Sequence, residues 1–86
     1  MRILIEKEVP LINVDSDVLE MLDEGNIHYR SEPDGTTTIV EQKVNLLEED
    51  MNDTLLYILH WHTNCRVTLR MYCYGKYKLD LQEIVS

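Results

Sequence analysis

One cluster in this chain invites a chemical reading, His60, His62 and Cys65 with Cys73 further on, all of them residue types that hold a transition metal. Imidazole nitrogen and thiolate sulfur are the usual ligands of tetrahedral zinc. Three of them fall in the run His60-x-His62-x-x-Cys65. The two histidines end a helical pattern, and residues two apart on a helix point about 200° from each other, so both rings cannot face one ion while that helix persists. The sequence also lacks any C-x-x-C knuckle of the kind that structural zinc sites use. No metal and no cofactor is expected. His62 reads as the cap of a core stripe, His60 as a surface residue, and both cysteines as small buried hydrophobes.

Other chemistries find less support. Cys65 or Cys73 could be drawn as a dyad with a histidine, but no glycine-rich oxyanion loop accompanies either one. Ser16 and Ser31 suit a helix cap and a turn. Gly25, Gly35 and Gly75 are the only glycines, so no phosphate-cradling loop exists. Carboxylates abound without marking an acid/base pair. The chain is therefore expected not to be an enzyme.

Two features point to binding. Arg66, Arg70, Lys76 and Lys78 interleave with Tyr72 and Tyr74 in the last hairpin. A basic, aromatic sheet face of that kind suits single-strand platforms, cross-strand pairs on a solvated face, or self-association into a homodimer, with Trp61 as a further anchor. The second feature is acidity. Residues 1–53 hold fourteen acids and four bases, and residues 54–86 hold two acids and four bases, within a net charge of −8. Asp15, Asp17, Glu20, Asp23 and Glu24, with Glu48, Glu49, Asp50 and Asp53, are expected to face a basic protein partner. Glu32, Asp34 and Glu41 are expected to extend that surface. Such a surface speeds encounter by steering. Carboxylates that track phosphate spacing would imitate nucleic acid. Direct contact with nucleic acid or an anionic membrane is not expected, because the acidic part repels both.

The elements that must position these residues follow from periodicity. Leu47, Met51, Leu55, Ile58, Leu59 and His62 repeat as one helical stripe, which predicts a helix from Asn45 to about His62. Asn45 is its expected N-cap with Glu48 three residues on, and Asn64 its left-handed stop. Tyr57 and Trp61 lie off that stripe, with core packing as the default. From Cys65 to Val85 the period becomes two. Matching apolar sides across a three-residue loop, Tyr74 to Lys76, pairs Cys73 with Tyr77, Met71 with Leu79 and Leu69 with Leu81, and sets Arg70 opposite Asp80.

Earlier in the chain, Arg2 to Glu6 reads as a strand with Ile3 and Ile5 inward, extending past Pro10 only at an edge. Asp15 or Ser16 caps a helix to about Glu24 that buries Val18, Leu19 and Leu22 and stops at Gly25. Glu32-Pro33-Asp34-Gly35-Thr36 is a turn that sets Tyr29 opposite Ile39 and Ile27 opposite Glu41. The strand from Thr36 to Val44 follows. The order β-α-β-β-α-β-β predicts a small single α+β domain over 1–86, mainly antiparallel sheet with one or two helices packed on one face.

No apolar run is long enough for a membrane span, and the first residues lack a signal-peptide core. A cytoplasmic protein with reduced thiols is expected. Cys65 and Cys73 sit eight residues apart on one strand, about 26 Å at full extension, and cannot bridge. In size and charge alone the chain resembles small phage- and plasmid-encoded proteins that bind and block one host protein, DNA mimics among them. That resemblance implies an inhibitor; the alternative is a small oligomerising module that self-associates through its last hairpin.

Overall fold

The fold is α+β, with two helices and two sheets in the order β-β-α-β-β-β-α-β-β. The computed structural model describes residues 1–46 and 49–84, and for residues 49–52 only the backbone. Two expected strands each split, which accounts for the two extra elements. The first breaks at Glu6–Glu8, so β1 (Arg2–Ile5) and β2 (Val9–Leu11) enter different sheets, with Pro10 inside β2. β2 is an edge strand of the small sheet β2-β4-β3, the position where a missing N–H does least harm.

The second split lies between β4 (Thr37–Ile39) and β5 (Gln42–Asn45). Gln42 holds that corner. Its Nε2 donates to the carbonyls of His28 at 2.8 Å and Val40 at 3.0 Å, and its Oε1 accepts from the His28 N–H at 3.0 Å. One side-chain amide thus replaces the ladder that would have continued beside β3 (Tyr29–Ser31). The expected pairing of Ile27 with Glu41 is lost at this point. Ile27 is buried ahead of β3, and Glu41 lies in the bend. The hairpin itself matches expectation: Tyr29 pairs with Ile39, and Gly35 takes φ 90° at the end of the Pro33–Asp34 turn.

The strands form two sheets, and the larger has the order β5-β1-β7-β6. β1 pairs antiparallel with β5 and parallel with β7 (Lys76–Glu83). β6 (Cys65–Cys73) pairs antiparallel with β7. The hairpin register differs from expectation by two residues. Leu69 faces Leu79, Val67 faces Leu81, and Met71 faces Tyr77. The turn is Tyr74–Gly75, and only Gly75 has positive φ, at 72°. A tight two-residue hairpin of the primed type I needs positive φ at both positions, which tyrosine resists. The strands instead absorb an extra residue in an irregularity between Met71 and Cys73. A shift of two keeps the side chains from Cys65 to Met71 on their expected faces, while beyond the irregularity Cys73 pairs with Lys76 and leaves the inward side.

One core joins both sheets and both helices. It holds Ile3, Ile5, Val9, Leu11, Val18, Leu22, Ile39, Val44, Leu55, Ile58 and Leu59, with Leu79 at its margin. Helix α1 (Ser16–Glu24) begins at Asp15, whose carboxylate accepts from the Val18 N–H at 3.0 Å. It ends at Gly25 in right-handed conformation, and the left-handed residue is Asn26.

Helix α2 (Glu49–Trp61) buries Leu55, Ile58 and Leu59. Asn45 does not cap it; it closes β5 opposite Arg2. Leu47, Glu48 and the side chains of Glu49, Asp50 and Met51 lie outside the described residues, as do Val85 and Ser86. Asn64 is not left-handed. The helix stops instead through Thr63, whose hydroxyl donates to the Leu59 carbonyl and accepts from the Cys65 N–H at 3.3 Å.

Both cysteines are less buried than expected: Cys65 is half-buried and Cys73 is exposed. A nine-residue strand is about 30 Å long and the thirteen-residue helix covering it about 20 Å. The hairpin tip therefore overhangs its cover, and Met71 is exposed with it.

Candidate acidic and aromatic interface

The acids divide by what they touch. Glu8 and Glu32 are both held by Arg30, at 3.0 and 2.7 Å. Arg30 depresses the Glu8 pKa through its hydrogen bond and then its charge. Asp34 accepts from the Thr36 hydroxyl and N–H, which lowers its pKa and ties up the turn. Glu32 and Asp34 thus serve local structure and leave the expected acidic surface. Asp15 is engaged as the α1 cap. Asp23 lies on the β3 side of α1, where burial and then its hydrogen bond with Asp23 raise the Tyr29 pKa.

Asp17, Glu20 and Glu24 remain. They sit at i, i+3 and i+7 of α1 and form one stripe. None has a cation or a hydrogen-bond partner among the described residues. Helical geometry sets this stripe beside Met21, away from the buried Val18–Leu22 face. Met21 lines a shallow groove with Asp53, Thr54 and Tyr57 of α2. Asp53, Tyr57 and Trp61 themselves recur at i, i+4 and i+8 and make the exposed stripe of α2.

Core packing, the default for the two aromatics, is not what occurs. Tyr57 is 50% exposed and Trp61 64% exposed. Their rings lie 6.3 Å apart at 44°, and His60 meets Trp61 edge-on at 5.5 Å. His62 bonds the Ile12 carbonyl through Nδ1 at 3.0 Å while its ring meets Tyr57 edge-on at 6.5 Å. α1 thus carries a row of free carboxylates beside Met21, and α2 carries two large exposed rings, with Met21 and Tyr57 meeting in the groove between the helices. Sequence periodicity located both stripes, but not the groove that joins Met21 to Tyr57. Glu48 and the side chains of Glu49 and Asp50 lie outside the described residues.

The metal-type residues do not converge. Among the described residues no three His, Cys, Asp or Glu side chains come together in a ligand-like group. None of the described helices is long and apolar enough to cross a membrane.

Arg66, Arg70 and Tyr72 lie on the opposite side of the molecule, on the face of the larger sheet turned away from the core. Tyr74 stands at the hairpin tip, 96% exposed. Arg70 bonds Asp80 at 3.0 Å, and the Lys78 ammonium lies 5.3 Å from the centroid of Tyr72.

No protein-family model, curated protein or solved structure matches the chain.

Proposed function

We propose that this is a non-enzymatic binding protein whose α1–α2 groove docks on a basic surface of a protein partner. The observation that carries the reading is the groove in which Met21 of α1 meets the exposed Tyr57 of α2, with cation-free Asp17, Glu20 and Glu24 along α1 and the exposed Trp61 one turn further along α2. The two halves do different work. A carboxylate about 4 Å from a cation gains only about 1 kcal/mol in water, so the acids supply encounter rate and selectivity. Burying most of an exposed tryptophan is worth about 2–4 kcal/mol at about 25 cal/mol per Å², so the rings supply affinity. Tryptophan and tyrosine are the residues most often found at such anchors. Basic surfaces of this kind occur on nucleases and nucleic-acid-binding factors, and a protein seated there blocks the phosphate track as an inhibitor or nucleic-acid mimic.

The test is comparative capture from the native host. Wild type and the triple variant Asp17→Lys, Glu20→Lys, Glu24→Lys are used as parallel baits. A partner with a basic surface that only the wild type retains supports the reading. Identical partners on both baits overturn it.

A second reading is self-association through the last hairpin. Its support is topological. β6 is nine residues long and forms an open edge of its sheet, and an exposed edge templates pairing with another strand. Sedimentation at micromolar concentration separates the two readings: this one requires a dimer and is refuted by a strict monomer.

A further inference from the structure

The cations gather on one sheet face as strongly as the free acids gather on α1. In the sequence, Arg2 and Lys43 belong to the acidic stretch. In the fold they join the hairpin. β1 turns Ile3 and Ile5 into the core and therefore Arg2 and Leu4 outward. β5 buries Val44 and turns Lys43 outward. β7 buries Leu79 and turns Lys76 and Lys78 outward, while β6 adds Arg66 and Arg70. Six of the eight lysines and arginines thus share one face.

Register sharpens the picture. Lys43 pairs with Leu4, Leu4 with Lys78, and Lys78 with Arg70, so one row crosses all four strands. Arg2 and Lys76 pair in the row beside it. Carboxylates reach only part of this field: Glu6 meets Lys78 at 3.4 Å and Asp80 meets Arg70 at 3.0 Å. Arg2, Lys43, Arg66 and Lys76 have no acidic partner among the described residues. Three of those four line a depression of about 80 Å³ with Leu4 and Tyr72. That volume suits one oxyanion and is well below the range of whole-ligand pockets, about 300–1,000 Å³.

We infer that this outer sheet face binds single-stranded nucleic acid, with a backbone phosphate in the depression between Arg2, Lys43 and Lys76 and bases stacked on Tyr72 and Tyr74. Strands lie about 4.8 Å apart, so the Lys43–Lys78–Arg70 row spans roughly 15 Å and serves two to three successive phosphates. Tyr74 is 96% exposed, and Tyr72, 49% exposed, has Lys78 over one face and offers the other; stacking on such rings is worth about 1–3 kcal/mol per base. The net charge of −8 does not forbid this. The carboxylates of α1 lie behind the core, at least one packed layer of about 10 Å away, beyond the Debye length of about 8 Å at physiological salt. A polyanion is the occupant that six cations on a flat face fit, and exposed rings favour a single strand over a duplex, whose bases are already stacked. The inference is independent of the acidic groove. Together the two faces would make an adapter between a strand and a protein that handles it.

Fluorescence anisotropy of a labelled twenty-residue oligothymidine tests it, with the same strand in a duplex as comparison. Saturable binding of the single strand is expected at 50 mM salt. Its log–log salt slope should lie near −3, about −0.7 for each of four phosphates. Lys43→Glu with Lys76→Glu should weaken binding by at least about tenfold, and Tyr72→Ala by about fivefold or more. The triple α1 variant should bind at least as well as wild type. A photocrosslink from 4-thiothymidine to Tyr72 or Tyr74 gives a readout independent of the variants. No binding at 200 µM protein, equal affinity for the duplex, or indifference to the sheet variants would each overturn the proposal. Salt-sensitive self-association that the sheet variants abolish would assign the face to α1 of a second copy and overturn it as well.

Discussion

Arg70 and Asp80 are bonded at 3.0 Å without being cross-strand partners. Arg70 stands opposite Lys78, and Asp80 stands opposite Thr68. The ion pair runs on the diagonal, where long side chains still reach across an antiparallel pair. The contact expected from sequence is thus made in a register that is not the expected one. Asp80 offsets the repulsion that Arg70 and Lys78 would otherwise exert on each other across the strands.

Asp80→Asn should therefore have little effect on stability and a larger one on the charge of the outer face. Both partners are largely exposed, 72% and 54% for the side chains, and such pairs are worth about 0–1 kcal/mol. Urea unfolding should show a loss no greater than about 1 kcal/mol, shrinking further at high salt. A loss of several kcal/mol would mean that the pair holds the hairpin register.

Gln42 should matter more than its exposed position suggests. Its amide makes three hydrogen bonds at the corner between the two sheets. Gln42→Ala leaves backbone groups of His28 and Val40 to find water. The expected cost is about 1–3 kcal/mol in chemical denaturation, with amide exchange accelerated first at His28, whose N–H donates to Gln42. Gln42→Glu should restore only the bond from the His28 N–H. Unchanged exchange in Gln42→Ala would show that the corner holds without this side chain.

Stability and docking should separate on α2. Ile58 is fully buried while Trp61 is 64% exposed, three residues further along the same helix. Ile58→Ala should cost about 2–5 kcal/mol through lost burial and a cavity. Trp61→Ser should cost no more than about 0.5–1 kcal/mol and yet remove most partner affinity. Calorimetry paired with a binding assay checks both. If Trp61→Ser unfolds the protein, the ring belongs to the core and not to an interface.

Two carboxylates should titrate below their ordinary range. Arg30 depresses Glu8, and the Thr36 hydroxyl and N–H depress Asp34. A depressed folded-state pKa means that the unfolded chain takes up the proton first as pH falls. The contribution is then complete above the ordinary carboxylate pKa and is lost as pH falls through the lowered values. Carbon-detected NMR titration should show both midpoints below the ordinary range of their carboxylate type. Arg30→Met should return Glu8 alone to the ordinary range. A Glu8 midpoint that ignores Arg30→Met would contradict the ion pair.

What could be read from sequence was local. Pro33, Asp34 and Gly35 carry their own turn chemistry, and the hairpin formed with Tyr29 opposite Ile39 as expected. Asp15 caps α1 through a bond three residues long. Alternation gave the correct faces of β1 and of the last hairpin. What escaped depends on contacts distant in sequence. The corner at Gln42 rests on bonds to His28, and the parallel pairing of β1 with β7 joins opposite ends of the chain. Alternation says which side of a strand a residue takes, but not which strand lies next to it. For that reason Arg2 and Lys43 counted with the acidic stretch, although they stand on the basic face. The groove between α1 and α2 was hidden in the same way, since each helix shows only its own stripe.

The electrostatic docking of the α1 stripe is tested most directly by the dissociation constant of the captured partner measured from 50 to 400 mM salt. Docking through Asp17, Glu20 and Glu24 predicts a steep loss of affinity with salt. It also predicts that the slope flattens in the triple lysine variant, together with a fall of at least about tenfold in affinity at low salt. A wild-type affinity that does not change across that range, or that survives the triple reversal, would contradict the account.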